Sequence, residues 1–477
     1  MNVRDAMMLQ WPVPPRVRWD WLAVGAAGAV LAAAAAYEPT NLLSRPLVLA
    51  AVALAAPLGL IVLLRWPGAA LVAFAAAALA VPLKIGTGTE SGINTALLLS
   101  PVLIGAWGLR LLIADRPLLR LDATTGAALA FALAAVLGFI AGQAPWYAVQ
   151  GASLKSQLGG LGIFLFSAGM FLVASHLPRP ERTLPWVVAV VLVLGAVDAL
   201  LDAAPAAVDE RFAGIFEDLG EQAVWWVWIV VLGVSQAFYN TDLRRRWRIA
   251  AGAVALATLA FALTLRISWT SGWLPPLIGV WVIVVIGTPR LGVVVTAAMG
   301  VVAFVLGVAM FAKWMDSESG SVWTRLAIWQ AQFPLLTKNP LLGLGPSNYY
   351  FYGTRHVLYY QRISSHNNFF DLLAQTGIVG LACFLWLVTA AGLAIRGVIA
   401  RGATGFRRAY ALGAMGGLVA MVAAMMFGDW VVPFVYNIGF DGCRASLVSW
   451  VLVGGAVALA RPGAMSMRVT HGGGLPA

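Results

Sequence analysis

Charge is what this sequence has least of: Asp, Glu, Lys and Arg make up 11% of its 477 residues. A soluble domain carries about 25%, so the deficit excludes an ordinary water-facing surface. There are two cysteines. Cys383 falls inside an apolar run and Cys443 near the boundary of another; they form no obvious pair and no metal site, so no structural disulfide is expected. Internal repeats of 20 to 50 residues are absent, and low complexity is limited to alanine-rich stretches such as "LAAAAAY". No segment resembles a nucleic-acid-binding module, and the net charge of +11 with a pI near 10.1 has a simpler origin, given below.

What is abundant is apolar length. Hydrophobic residues make up 61% of the chain and the mean hydropathy is +0.85. Runs long enough to cross about 30 Å of hydrocarbon as helix recur almost throughout. They are continuous rather than alternating, and lipid satisfies no backbone hydrogen bond, so helices are expected and barrel strands are not. The fold class is therefore all-α, a polytopic integral membrane protein with about 12–14 spans. Candidate spans lie near 20–37, 46–64, 68–83, 95–112, 123–142, 160–177, 184–201, 222–239, 249–265, 273–288, 291–312, 372–395, 410–427 and 446–460. An N-terminal signal peptide is conceivable, because Arg16 and Arg18 precede an apolar run, but a retained first span is preferred.

Arginines collect in alternate gaps between these runs, among them Arg65; Arg110, Arg116 and Arg120; Arg179 and Arg182; Arg244 to Arg246 and Arg248; Arg290; Arg396, Arg401, Arg407 and Arg408; and Arg461. Short cytoplasmic loops retain Lys and Arg, so these gaps are assigned to the cytoplasm and the positive net charge chiefly records topology. The minority of cations on the other side need a separate reason; Arg211, Arg266, Arg325, Arg355 and Arg362 are among them. One domain, 1–477, is expected. Its largest interruption is an extracytoplasmic loop over 313–370, far longer than an ordinary connection. Within it, "SVWTRLAIWQAQFPLL" places Val322, Leu326, Trp329 and Phe333 at helical spacing, which predicts an amphipathic helix with those residues as its apolar stripe. The tyrosines of "SNYYFYG" suit a bilayer interface or a sugar-stacking surface.

The loop ends in "SSHNNFFDLLAQTGIVG", where one histidine precedes a long apolar run. Ionisable groups are nearly missing from the centres of the predicted spans, which weakens a proton- or ion-coupled transporter. They gather at one face instead, where basic side chains meet helix ends, as suits a ligand with an anionic head and an apolar tail.

These residues resemble the O-antigen ligase and polysaccharide polymerase family of bacterial membrane glycosyltransferases. His366 and Asn367 followed by Gly377 and Gly380 fit its His-Asn, nine residues, Gly, two residues, Gly pattern. The upstream "TRLAIWQAQFPLLTKNPLLGLGPSNY" and the "RFAG" beginning at Arg211 are similar to two further elements in the same order. Ser271-Gly272 stands where many relatives carry Ser-Arg, with Arg266 five residues earlier as the nearest alternative cation.

The resemblance implies inverting, metal-independent transfer of a glycan from undecaprenyl diphosphate to an acceptor saccharide, without a cofactor. The acceptor would be lipid A core, a growing glycan or another acceptor. It also implies the inner membrane of a bacterium and a site on the extracytoplasmic face. Carried over, His366 is the catalytic residue, either a base for the acceptor hydroxyl or the group that orients acceptor and leaving phosphate. Arg325, Arg211 and Arg266 would bind the diphosphate, as arginines can do the electrostatic work a divalent cation does elsewhere. Asn367, Asp371, Arg362 and Arg355 are supporting candidates.

Each residue also has a structural reading. An interfacial histidine can bond a carbonyl, Asn367 and Asn368 are natural N-caps, and Arg325 can snorkel. Arg211 stands among acidic residues that could pair with it, and Arg355 and Arg362 can be solvated loop cations. Gly377 and Gly380 would permit close helix packing. To orient His366, Asp371, Asp429 and Asp441 are all available. The competing function is a transporter or flippase of lipid-linked saccharides.

Overall fold

The computed structural model describes residues 63–86, 92–114, 119–202, 216, 219–298, 300–301, 321–352 and 364–461. The expected spans at 20–37 and nearly all of 46–64 lie outside them, as do residues 302–312 of another. Over the rest the apolar runs are helices. In chain order these are α1 (Pro67–Ala80), α2 (Thr95–Ile113), α3 (Ala123–Ala141), α4 (Leu154–Ser175), α5 (Pro180–Asp202), α6 (Ala223–Tyr239), α7 (Arg245–Thr264), α8 (Thr270–Gly287) and α9 (Pro289–Ala298). They continue with α10 (Ser321–Leu336), the single turn α11 (Tyr349–Tyr352), α12 (Asn368–Ala400), α13 (Gly405–Ala424) and α14 (Cys443–Ala460). Among the described residues eight helices are long and apolar enough to cross a bilayer. The protein is all-α and polytopic. A two-stranded hairpin, β1 (Lys84–Gly86) and β2 (Gly92–Asn94), is the exception among the described residues, pairing Ile85 with Ile93.

The helices start where short polar side chains can satisfy their free N–H groups. Asn94, Asp122 and Ser153 each accept from a backbone N–H one turn into α2, α3 and α4. Two helices form the interior. Every residue of α14 from Cys443 to Leu459 is buried, and α14 packs on α4, α12, α13 and α6. Apolar all round, α6 sits among α7, α8 and α13, as expected of a helix enclosed by others.

The chain alternates direction, so the arginine-rich gaps meet at one end. There Arg461 bonds Asp122, with Nε 2.9 Å from Oδ2. Nearby Arg407 pairs with Glu181 at 2.6 Å, and Arg408 donates to the Gly287 carbonyl at 3.1 Å. The opposite end is closed by the loop after α13: Tyr436 donates to Ser156 at 2.7 Å and Asp441 pairs with Lys84 at 3.1 Å. The buried Arg444, a cation on that side, donates to the last carbonyls of α1, Ala78 and Leu79.

At the same end α12 is broken. Gly377 has φ 66° and ψ −170°, a conformation open essentially to glycine alone. The segment after α10 threads this break and completes its hydrogen bonds. The N–H groups of Leu344 and Gly345 donate to Ala374 and Gln375 at 2.8 and 3.1 Å, while those of Ile378 and Val379 donate to Pro340 and Leu341 at 2.9 and 3.2 Å. A Cβ at Gly377 would strike the Leu341 carbonyl, and one at Gly343, also at positive φ, would lie 2.6 Å from the Gly377 nitrogen. Gly377 thus admits a crossing loop and breaks a helix, a different use from helix-on-helix packing.

Candidate functional site

His366 is held in a left-handed backbone conformation, φ 50°, which only Ser347 shares among the described non-glycine residues. Such a conformation persists only where neighbours enforce it. On the C-terminal side Asn367 caps α12, its side chain accepting from the N–H groups of Phe369 and Phe370. On the N-terminal side the Ser365 carbonyl accepts from Trp329 Nε1 of α10 at 2.8 Å. The Ser365 hydroxyl donates to Asp371 Oδ1 at 2.6 Å and accepts from the Asn367 N–H at 3.1 Å. Tyr349, buried and stacked on Phe434 with centroids 4.9 Å apart, donates to the same Asp371 oxygen at 2.5 Å. Histidine is therefore the half-exposed tip of a turn whose other members are buried.

The loop after α13 supplies the facing wall. Asn368 fixes it: its side-chain oxygen accepts from the N–H groups of Val431 and Val432 at 2.9 and 3.0 Å, and its amide donates to the Val432 carbonyl at 2.8 Å. This places Asp429, fully buried, beneath Asn437. Asp429 Oδ2 accepts from the Phe434 N–H at 2.7 Å, and its other oxygen accepts from the Asn437 amide. That same amide nitrogen lies 3.2 Å from His366 Nδ1. Burial pushes Asp429 up to about 6.

Arg325 reaches the site from α10, half-buried, with Nη1 donating to the Phe427 carbonyl at 3.1 Å. Burial lowers its pKa, and it forms no pair with a carboxylate among the described residues. A guanidinium partly stripped of water and without a counter-ion favours an anionic ligand. It also acts on the histidine. Burial, then the nearby Arg325 charge, lowers His366 below the ordinary value, so the imidazole is neutral at physiological pH.

Of the residues singled out in the sequence, His366 and Arg325 come together; Asn367 and Asp371 lie beside them with structural work to do. Asp371 does not touch the imidazole: it anchors Ser365 and Tyr349. Asp441 is occupied by Lys84. Asp429 is the carboxylate that reaches His366, through Asn437. Arg266 is exposed in the α7–α8 turn, and its side chain bonds no described residue. Its turn still borders the site end, because Trp269 packs edge-on against Trp430 with centroids 5.8 Å apart. Arg211, Arg355 and Arg362 lie outside the described residues.

The protein-facing side of α10 runs through Ile328, Gln332 and Leu335 and brings Arg325, one turn before Ile328, inward, while Phe333 of the apolar stripe is 61% exposed. The tyrosines do not all line a surface. Tyr349 and Tyr352 are buried, whereas the half-buried Tyr350 stacks on Tyr436 at 4.8 Å and 3°. Asn437 was not legible as a site residue. Its only signal is a polar side chain in a loop between two apolar helices.

Fold and site together define a polytopic helical membrane protein with a histidine–arginine centre at the end opposite its arginine-rich rim. A family model described as O-antigen ligase matches residues 219–385, so that segment of the chain is similar to the O-antigen ligases. The match takes in α6 to α10, the loop that threads α12, and His366, and stops short of Asp429 and Asn437. A match to that family points to a glycosyl-transferring enzyme acting on lipid-linked glycan and a saccharide acceptor in a membrane. Comparison with curated proteins gives no match.

Proposed function

We propose that the protein is an inverting glycosyltransferase of the bacterial inner membrane. It moves a glycan from undecaprenyl diphosphate to an acceptor saccharide, as a ligase or polymerase of cell-surface glycan. The observation that carries this reading is the meeting of a backbone-strained His366 with a half-buried Arg325 that has no carboxylate partner among the described residues, both inside the matched segment. The arginine-rich rim faces the cytoplasm by the positive-inside rule, which puts the site on the extracytoplasmic side.

Breaking the anomeric bond leaves an extra negative charge on the diphosphate. Arg325, together with Arg211 and Arg266, stabilises that charge in the role a divalent cation fills elsewhere. His366 stands at the reacting centre, in contact with the acceptor hydroxyl or the leaving phosphate. Asn367 and Asp371 hold the turn that presents it, and Arg355 and Arg362 remain supporting cations in the loop sequence.

The test is reconstitution. Purified protein with polyprenyl-diphosphate glycan, candidate acceptors and a chelator is expected to form the transferred product. His366→Ala should lower turnover by about 10²- to 10⁴-fold. Undiminished transfer in His366→Ala would refute the site; glycolipid crossing vesicles without any product would favour a flippase.

A further inference from the structure

A side-chain amide placed against a histidine decides which ring nitrogen carries the proton. Asn437 Nδ2 has two hydrogens and no lone pair to offer. One goes to the Asp429 carboxylate and the other points at His366 Nδ1, 3.2 Å away. Turning the amide over would set its oxygen against the Asp429 oxygen, acceptor against acceptor. Asp429 Oδ2 accepts from the Phe434 N–H at 2.7 Å, and in the carboxylate form its Oδ1 is an acceptor for Asn437 as well. Nδ1 therefore receives a hydrogen bond and must be bare, which leaves the single proton of the neutral ring on Nε2.

We propose that Asn437, its amide oriented by Asp429, is a positioning residue that fixes His366 as the neutral Nε2–H tautomer, so the imidazole donates a hydrogen bond to substrate and is not the base. This deepens the glycosyltransferase reading and rests on it for the identity of the substrate. The acceptor oxygen bonds the anomeric carbon, and the bond from that carbon to the diphosphate oxygen breaks with its electron pair leaving on the diphosphate. The hydroxyl proton passes to water. Throughout, His366 keeps its proton and directs Nε2–H at an oxygen whose negative charge grows, the geometry that stabilises a transition state. Among the described residues the other charged groups facing this assembly are Arg325 beside the imidazole and Asp371 beside Asp429; neither bonds a ring nitrogen of His366.

The experiment pairs ¹⁵N NMR of histidine-labelled full-length protein in detergent with transfer assays. The His366 ring signals, assigned by their loss in His366→Gln, are expected to show bare Nδ1 and protonated Nε2 near neutral pH. Asp429→Asn replaces the acceptor by a donor, turns the Asn437 amide over and moves the proton to Nδ1. Its kcat should fall at least about tenfold with the donor KM within about twofold. If Asp429→Asn fails to fold, Asn437→Asp serves the same purpose, since a carboxylate beside Nδ1 also demands Nδ1–H. His366→Gln, which keeps a donor near the Nε2 position but cannot act as a base, should exceed His366→Ala by at least about tenfold in turnover. An Nδ1–H ring in the unaltered protein, or His366→Gln as inactive as His366→Ala, overturns the assignment. The ring signals are read without substrate, so a protein that shows the Nε2–H tautomer but transfers no glycan refutes the enzyme reading instead.

Discussion

The two ends of the helix bundle treat arginine in opposite ways. At the arginine-rich end guanidinium groups are satisfied by protein: Arg407 by Glu181, Arg408 by the carbonyl end of α8, and Arg461 by Asp122 and the carbonyl end of α4. Cations there close helix C-termini, where the macrodipole favours them, and neutralise carboxylates. At the other end Arg325 is drawn half into the protein and bonded to one carbonyl, with no carboxylate partner among the described residues. The first arrangement spends its charge on the fold. The second leaves charge over for a ligand, and the neighbouring imidazole pays with a lowered proton affinity.

Substitution at each end should separate these roles. Arg325→Ala is expected to cut transfer by about 10²-fold through loss of leaving-group stabilisation, with the melting temperature within a few degrees of the unaltered protein; kinetics and thermal unfolding in detergent measure both. A loss confined to stability would erase the contrast. Gly377→Ala should cost about 3 kcal/mol or prevent folding, because the added Cβ meets the Leu341 carbonyl at a backbone angle that alanine avoids. Arg461→Ala should be the mirror image of Arg325→Ala, losing about 2 kcal/mol of stability with turnover within about twofold.

The pH dependence of that last pair has a definite sign. Burial would raise Asp122, but its bonds to Arg461, the Thr124 hydroxyl and the Thr125 N–H outweigh burial and hold it well below the usual carboxylate range. A depressed carboxylate stabilises the fold above its unfolded value of about 3.9, and that contribution disappears as pH falls through the lower folded value. Arg461→Ala should flatten the stability profile in the acid limb and leave it parallel to the original near neutrality. The smallest effect is expected at the site itself. Arg325→Met removes a neighbouring positive charge, so the His366 pKa should rise toward about 6.5, read from its ring signals over a pH titration; an unchanged value would place the guanidinium too far away to matter.

Legibility followed the range of the interaction. Apolar length identified α2 to α8, α12, α13 and α14 to within a few residues at most ends, because a membrane helix satisfies its backbone locally and needs only a continuous run. The arginine alternation located one rim for the same reason, being a property of successive loops. The order of the motifs marked His366 and Arg325. The α10 spacing did not reveal the contacts the helix makes with protein: Trp329 is held by the Ser365 carbonyl, and Arg325 by Phe427 on a different segment.

By itself the sequence determined a helical membrane protein, its charged rim and the residues that merit a chemical role. Hydrocarbon solvent imposes the first two whatever the packing, and the third travels in short contiguous motifs. Tertiary structure alone decided that Gly377 opens a helix for a crossing loop, that Asp371 serves the turn and not the imidazole, and that Asp429 works through Asn437, 71 residues beyond His366. Such choices turn on which hydrogen-bond donor meets which acceptor across a folded interior, and no local period or composition encodes that meeting.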